Sequence, residues 1–336
     1  MMKAALLGHM PGIDQIQLTD IADPGKPGPG EVRVRIHSNS LNFHDYNVAA
    51  GILPSVAGRL LMSDGAGVVE EIGEGVTGFT AGDHVVSVFF PDWEQGDCPA
   101  IGFSRTPGDG LDGYATSYAV RPANWFMRAP NGWDHAEAAT LPTAGLTAWR
   151  ALVVNGNIKA GDDVLILGTG GVSVFALQFA RMAGARVWAT TSSDEKAEWL
   201  IRQGVSGVVN YRRESEWGKK ILDMTGGRGV DHVVEIGGPG TLAQSITAAR
   251  IGGHISLIGV FTGIAGQVPT GAIMGKQLTV KGITVGSRSH QLDMTRAFNA
   301  SGIRPVIDSR MPLEDIQVAF EHQLHGKHIG KICLDI

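Results

Sequence analysis

Residues 162–191 read DDVLILGTGGVSVFALQFARMAGARVWATT, and this stretch decides the fold. The apolar run VLIL follows two aspartates and stops at a glycine, the pattern of a short buried strand. Gly168, Gly170 and Gly171 come next, then an apolar segment of helical length, then a second apolar run from 185 to 190. Strand, Gly-rich turn, helix and strand make a βαβ unit. Glycine suits such a turn because the chain must bend tightly and let its backbone approach a pyrophosphate without a Cβ in the way. The helix N-terminus then offers unpaired N–H groups and partial positive charge to the phosphates. Gly168, Thr169, Gly170, Gly171 and Val172 are therefore candidate contacts to a dinucleotide. Ser173 stands where a third glycine is usual, small enough to permit close helix–strand packing.

Outward from this unit the alternation continues. Strands are expected at 163–167, 185–190, 207–209, 230–236, 253–258 and 279–285, with helices at about 171–183, 194–203, 214–224 and 239–250. That order reads as an α/β fold with a doubly wound, parallel, six-stranded sheet. The first third lacks helical periodicity. EVRVRIHSN (31–39), GAGVVEEIG (65–73), DHVVSVFF (83–90) and GYATSYAV (113–120) read as strands of a β-rich domain, and 91–113 as a long polar loop. SHQLDMTRAFNA and PLEDIQVAFEHQLHG after 287 read as helices and IGKICLDI as a closing strand, returning to the first domain. The expected division is 1–126 with 288–336, and 127–287.

At 336 residues, 43% hydrophobic and 18% charged, the chain has ordinary globular composition. A net charge of −5 argues against nucleic acid as the main ligand. MMKAALLGHM is too short an apolar run for a signal peptide, and no run reaches the length of a membrane span. A cytoplasmic location is expected. Two cysteines, Cys98 and Cys333, cannot form a disulfide framework or a cysteine zinc cluster.

About twenty residues beyond the Gly-rich turn lies ATTSSDEK (189–196). An NAD site usually places an acid there for the ribose 2′-hydroxyl. Here Thr191 stands in that place, with Ser192, Lys196 and, after the next strand, Tyr211 nearby. A 2′-phosphate would be repelled by an acid and held by hydroxyls, helix N–H groups and a lysine. The reading favours NADP(H). Ser192 also fits a capping box with Glu195, and Asp194 and Glu195 are expected to face solvent. Gly237, Gly238 and Gly259 close strands at the carboxyl side of the sheet, where a cofactor's neighbours sit.

The chain resembles the medium-chain dehydrogenase/reductase superfamily, in its zinc-lacking, quinone-oxidoreductase-like branch. The resemblance runs through KAALL, SLNFHDYNVAAG (40–51), SDGAGVVEEIGEGVTGFTAGDHV (63–85), EAATLPTAGLTAW (137–149), GTGGVS, TTSSDEK, VVNYR, GGRGVDHVVE and HIGKICL. It implies a GroES-like catalytic domain built from both chain ends, a Rossmann domain, and a cofactor in the cleft. It also implies NADPH contacts at Asn42, Ser192, Lys196 and Tyr211; Thr147 and Arg288 complete the candidate cofactor residues. Zinc-dependent relatives carry Cys, His and Cys where this chain has Asn42, Ser63 and Thr143. These are poor zinc ligands, so a metal-free site is expected. Family dimers pair at the edge strand that 279–285 would provide, so a homodimer is expected.

Without a metal, hydrogen-bond donors must meet the negative charge that hydride transfer builds on a carbonyl oxygen. His44 is the first candidate proton donor and Tyr46 the second, although each also fits a packing role; Asp45 reads as a helix cap. Trp93 and Phe103 either set substrate size or simply pack. Arg288, in GSRSH, lies near the phosphates or in a solvated loop. GILPS after Gly51 lacks the tyrosine of family enoyl-thioester reductases. The expected function is reduction of a small-molecule quinone, enone or related carbonyl compound. A metal-free alcohol dehydrogenase and a low-turnover NADPH-binding protein are the alternatives.

Overall fold

The computed structural model describes residues 1–99 and 103–336. It divides into two units, Met1–Leu146 with Val285–Ile336, and Thr147–Thr284. In the second unit six parallel strands lie in the order Gly207–Asn210, Arg186–Thr191, Asp163–Leu167, Val230–Glu235, Ala249–Leu257, Thr279–Gly282. This is the doubly wound order, and its switch point lies beside Asp163–Leu167. The helices Gly171–Met182, Asp194–Arg202, Trp217–Met224 and Pro239–Ala248 connect the first five strands. The core of this unit includes Leu165, Trp188, Val209, Ile221, Val233, Leu242 and Ile255.

At the amino end of this sheet the buried carboxylates of Asp163 and Asp231 gather Arg186, Arg228 and Arg250. The Trp188 Nε1 donates to Asp163 at 2.8 Å. Neighbouring strands are thus clasped at the end opposite the Gly-rich turn.

The first unit holds a seven-stranded, mostly antiparallel sheet. Its order is Ile307–Pro312, Lys331–Asp335, Glu31–Ser40, Gly65–Ile72, His84–Ser87 and Phe126–Arg128, with Tyr118–Pro122 also pairing Glu31–Ser40. The C-terminal strand Lys331–Asp335 pairs antiparallel with Glu31–Ser40 in this unit. Residues 127–146 cluster here because Phe126–Arg128 pairs His84–Ser87 and the helix His135–Ala139 packs on Glu31–Ser40. Expected strand 113–120 is displaced. Tyr114 and Ala115 lie outside any strand and donate to the Met62 and Leu61 carbonyls, and the strand proper starts at Tyr118. In the described part of loop 91–113, Phe103 stacks on Phe90 at 4.1 Å and buried Trp93 lies 6.2 Å from both rings. The packing reading of these aromatics is the one their contacts match. Residues 100–102 of that loop lie outside the described residues. Among the described residues no helix is long and apolar enough to cross a membrane.

Three imidazoles stack in this unit. His135 lies 4.5 Å from His37 and 4.9 Å from His84, with near-parallel rings. Burial, then the charges of His37 and His84, push His135 down to about 4; Asp134 opposes this and Arg310 adds to it. The unfolded chain takes this proton near the ordinary value of 6.5, the folded chain only near 4. The stability held by neutral His135 is therefore complete above pH 6.5 and drains as the pH falls towards 4. His135→Phe keeps an aromatic ring in the stack and removes the titration. Between pH 7 and 4.5 the melting temperature of the wild type should fall further than that of His135→Phe. The expected excess is about 2–4 °C, the shift that roughly 1 kcal/mol gives after solvent screening of a half-buried group. Parallel curves would contradict the assignment.

Candidate functional site

In the second unit the site is built at the carboxyl ends of the central strands. Gly168 has φ 74°, a conformation that favours glycine, and a Cβ at Gly168 or Gly170 would meet nothing within 4 Å. The turn is thus bordered by open space. Gly170 is the N-cap of the twelve-residue helix Gly171–Met182, and no side chain caps it. Its first N–H groups need acceptors, as a phosphate site requires. Ser173 is buried and its Oγ donates to the Leu167 carbonyl at 2.7 Å. The residue in the third-glycine place therefore ties the helix to the strand.

Two hydroxyls at this end are buried without a partner among the described residues, Thr169 Oγ1 and Thr191 Oγ1. Tyr211 is exposed, and its N–H donates to the Thr191 carbonyl at 3.0 Å, so it lies next to the end of strand Arg186–Thr191. The glycine cradle, the uncapped helix and these orphaned hydroxyls fit a dinucleotide.

The cap reading needs correction. Ser193, not Ser192, is the N-cap of helix Asp194–Arg202, and its Oγ accepts from the Lys196 N–H at 3.3 Å. Ser193 takes the extended backbone conformation that a cap needs, which leaves Ser192 one residue outside the helix. Asp194 is also not simply turned to solvent: it accepts from Asn210 Nδ2 at 3.0 Å and pairs with Arg213. The acid that looked awkward beside a 2′-phosphate is already offset by a cation.

The loop after Val230–Glu235 is held by a buried carboxylate that sequence reasoning missed. Glu235 Oε1 accepts from Gly237 N at 2.7 Å, Gly238 N at 3.0 Å and Thr241 Oγ1 at 2.6 Å, and Oε2 accepts from Ser245 Oγ. Gly259 packs close to this loop, where a Cβ would stand 1.8 Å from the Ile236 carbonyl oxygen. Thr147 is buried at the start of this unit.

The first unit brings together the three positions at which zinc-dependent relatives carry ligands. Asn42 Nδ2 donates to Asp64 Oδ2 at 2.8 Å and to the Ser40 carbonyl at 3.2 Å, and lies 3.5 Å from Ser63 Oγ. Thr143 Oγ1 donates to Asp64 Oδ1 at 2.7 Å. Thr143 is placed by a π-helical stretch, Leu141–Gly145, that contains Pro142. Lys331, on the C-terminal strand, is buried, and its Nζ donates to the Leu41 carbonyl and to Asn42 Oδ1. Burial raises Asp64 to about 7, although Lys331 pulls it down; burial likewise lowers Lys331. Neither Asp64 nor Lys331 was singled out from sequence.

The cap of helix Phe43–Ala49 is Asn42, and Asp45, expected as the cap, is instead its third residue and the acid of the capping box. Its Oδ2 accepts from Asn42 N at 2.9 Å and its Oδ1 from Ser63 N at 2.8 Å, joining the helix to the turn before Gly65. His44, on the same helix, has its ring edge-on to Phe89 at 5.2 Å and its Nε2 3.4 Å from Asp109 Oδ2. Tyr46 packs against Phe43 and Phe320 beside the apolar cluster of Leu41, Val48 and Ile316. Arg288 begins helix Arg288–Ser301 and pairs with Glu94 at 2.9 Å.

This donor set does not suit zinc. Asn42, Ser63 and Thr143 are neutral, and a lysine already donates to Asn42. Among the described residues no group of three or more His, Cys, Asp or Glu side chains could hold a metal ion.

Residues 28–131 match the alcohol dehydrogenase GroES-like domain family, and residues 171–300 the zinc-binding dehydrogenase family. A zinc-type alcohol dehydrogenase-like protein of Schizosaccharomyces pombe is 40% identical over 338 residues, covering 97% of this chain and 96% of its own. An acryloyl-coenzyme A reductase of Sulfurisphaera tokodaii is 29% identical over 347 residues, 99% of each chain. Among solved structures, an alcohol dehydrogenase-type protein of Sinorhizobium meliloti superposes with a TM-score of 0.93 at 37% identity, covering 100% of this chain and 98% of that one. An NAD-dependent alcohol dehydrogenase superposes at 0.89 with 31% identity, covering 100% of both.

Proposed function

The chain belongs to the medium-chain dehydrogenase/reductase superfamily as an alcohol dehydrogenase-like oxidoreductase, and on that premise we propose that it is a zinc-independent, NADPH-dependent reductase of quinones, enones or related activated carbonyl compounds. The observation that carries this reading is the fate of the three metal-ligand positions. Asn42 and Thr143 are turned on Asp64 and Lys331 on Asn42, so this cluster is satisfied internally instead of being arranged around a cation. A relative whose name denotes an α,β-unsaturated acyl substrate supports the activated class.

Reduced nicotinamide supplies the hydride in such chemistry. The protein's part is to bind, orient and manage the proton. The helix Gly171–Met182 receives the pyrophosphate at its uncapped N-terminus, with Thr169 beside it and Gly237 and Gly259 keeping the neighbouring backbone close. Thr191, Ser192, Lys196 and Tyr211 hold the 2′-phosphate. Arg288, whose charge Glu94 already offsets, contributes less. His44 gives the proton to the oxygen that gains charge; Tyr46 is the less favoured donor, because its ring belongs to the apolar cluster.

His44→Gln should lower kcat for enone or quinone reduction by about 100-fold, the ordinary contribution of a placed general acid. The NADPH dissociation constant should stay within about twofold. Unchanged kcat would remove His44 from the mechanism. A substrate panel separates the alternatives. NADPH consumption with quinones or enones supports the proposal. Oxidation of alcohols alone favours a metal-free alcohol dehydrogenase, and tight binding without turnover favours a binding protein.

A homodimer accompanies this reading. Strand Thr279–Gly282 is the edge of its sheet, and the helix Thr270–Gly275 before it has no buried residue, with Met274 highly exposed. An unprotected edge next to apolar surface is a pairing liability. Light scattering should therefore give twice 35.5 kDa; the monomer mass would refute the dimer.

A further inference from the structure

We infer that Asp109 is a positioning residue for His44, holding its imidazole by Nε2 so that Nδ1 delivers the proton; this rests on the reading of His44 as the proton donor. The pair joins two separate pieces of the first unit. His44 is the second residue of helix Phe43–Ala49, and Asp109 belongs to the irregular segment that follows Phe103.

Asp109 is fixed by several contacts. Its Oδ1 accepts from the Gly110 N–H, its own N–H donates to the Thr106 carbonyl at 3.3 Å, and its carbonyl accepts from Ser55 Oγ at 2.8 Å. With one carboxylate oxygen committed to the backbone, the other, Oδ2, faces His44 Nε2 at 3.4 Å. Both side chains are four-fifths buried. His44 Nε2 is enclosed, has no other polar partner within hydrogen-bond geometry among the described residues, and its ring is held edge-on by Phe89.

A separation of 3.4 Å without hydrogen-bond alignment is an ion-pair distance for the resting protein. Such contacts commonly shorten when substrate completes the site. An enclosed nitrogen aimed at an enclosed carboxylate has few other ways to be satisfied.

The chemical consequence follows from imidazole. A carboxylate beside one ring nitrogen fixes the tautomer and orientation and stabilises the imidazolium. With Nε2–H towards Asp109, the proton that leaves is the one on Nδ1, across the ring. As the β-carbon of an enone gains a hydride, the C=C electron pair shifts towards the carbonyl and its oxygen takes the Nδ1 proton, giving an enol that tautomerises to the saturated ketone. The neutral imidazole keeps its Nε2 proton on the Asp109 side and regains the other from solvent. Atoms and charge balance: one hydride and one proton enter, and C=C–C=O becomes CH–CH–C=O.

The charged groups around the pair are Asp45 and Arg59. Asp45 raises Asp109, Arg59 lowers it, and burial raises it most. Arg59 is itself directed to Asp112 at 3.1 Å, and Asp45 to backbone N–H groups. Asp109 is the carboxylate nearest to the His44 ring.

Asp109→Asn is the informative variant, because its amide oxygen can still accept from Gly110 N–H while the amide nitrogen replaces Oδ2. In the full-length protein kcat for enone reduction should fall about 10- to 100-fold, with KM within about twofold. NMR of the His44 ring nitrogens, without cofactor, should show the Nε2–H tautomer in the wild type and its loss in Asp109→Asn. Asp109→Glu should recover part of both, and melting curves show whether either variant has lost its fold. If Asp109→Asn is unfolded, the His44 tautomer and kcat of Asp109→Glu decide, since a longer carboxylate should move both from wild-type values. If His44→Gln keeps full activity, the proton-donor reading fails and the catalytic meaning of the pair with it. If His44→Gln is slow but the folded Asp109 variants leave kcat and the His44 tautomer unchanged, the donor stands and the role of Asp109 is overturned.

Discussion

Replacing Glu235 by alanine is expected to destabilise the Rossmann unit by about 3–5 kcal/mol, a loss on the scale of breaking a buried charged network. Glu235 is fully buried and serves four donors: the N–H groups of Gly237 and Gly238 and the hydroxyls of Thr241 and Ser245. Alanine leaves these unpaired where water is scarce, and each unmet donor costs about 1–3 kcal/mol before the loop relaxes. The same substitution frees a loop in which Gly238 sits at φ 90° and the backbone of Gly259 packs close to Ile236. Nucleotide affinity should therefore fall along with stability. Glu235→Gln keeps one acceptor oxygen and should be milder. Denaturant unfolding checks the order: alanine worst, glutamine intermediate. A change below about 1 kcal/mol for alanine would show that the carboxylate does not hold the loop.

Thr191→Asp should reverse the cofactor preference. The carboxylate would stand at the end of strand Arg186–Thr191, where an NAD site keeps its ribose-binding acid. It would repel a 2′-phosphate and accept from a free 2′-hydroxyl. NADPH affinity should drop by about 100-fold, roughly 2.7 kcal/mol, while NADH binds as well as before or better. Calorimetry with both nucleotides gives the answer, and equal losses for both would mean that position 191 does not face the adenosine ribose. The wild-type hydroxyl has no partner among the described residues, as expected of a group that awaits a ligand.

The Rossmann unit was legible because its central strands are buried on both faces. Parallel strands of that kind read as near-continuous apolar runs, and VLIL at 164–167 needs no partner to be recognised. Antiparallel strands of the first unit depend on who pairs with whom. GYATSYAV reads as one strand, but its first half is irregular and bonds to residues 61–62, so the strand begins only at Tyr118. The cap at 192–194 was misread by one residue, since two adjacent serines fit the same local pattern and only the backbone angles choose between them. The polar network was illegible for another reason. Asp64 and Lys331 are ordinary charged residues in sequence and acquire meaning only when strand pairing brings the C-terminal strand beside Glu31–Ser40. His44 could be named from its motif. Asp109 could not, because it sits in an irregular segment without periodicity to place it.

The central claim is that the Rossmann unit holds a phosphorylated nicotinamide dinucleotide by neutral hydroxyls and a lysine where other sites use an acid. Isothermal titration of the wild-type protein with NADPH and with NADH tests it most directly. The account predicts NADPH tighter by at least about tenfold, or 1.4 kcal/mol. Equal affinities, or tighter NADH, would contradict it.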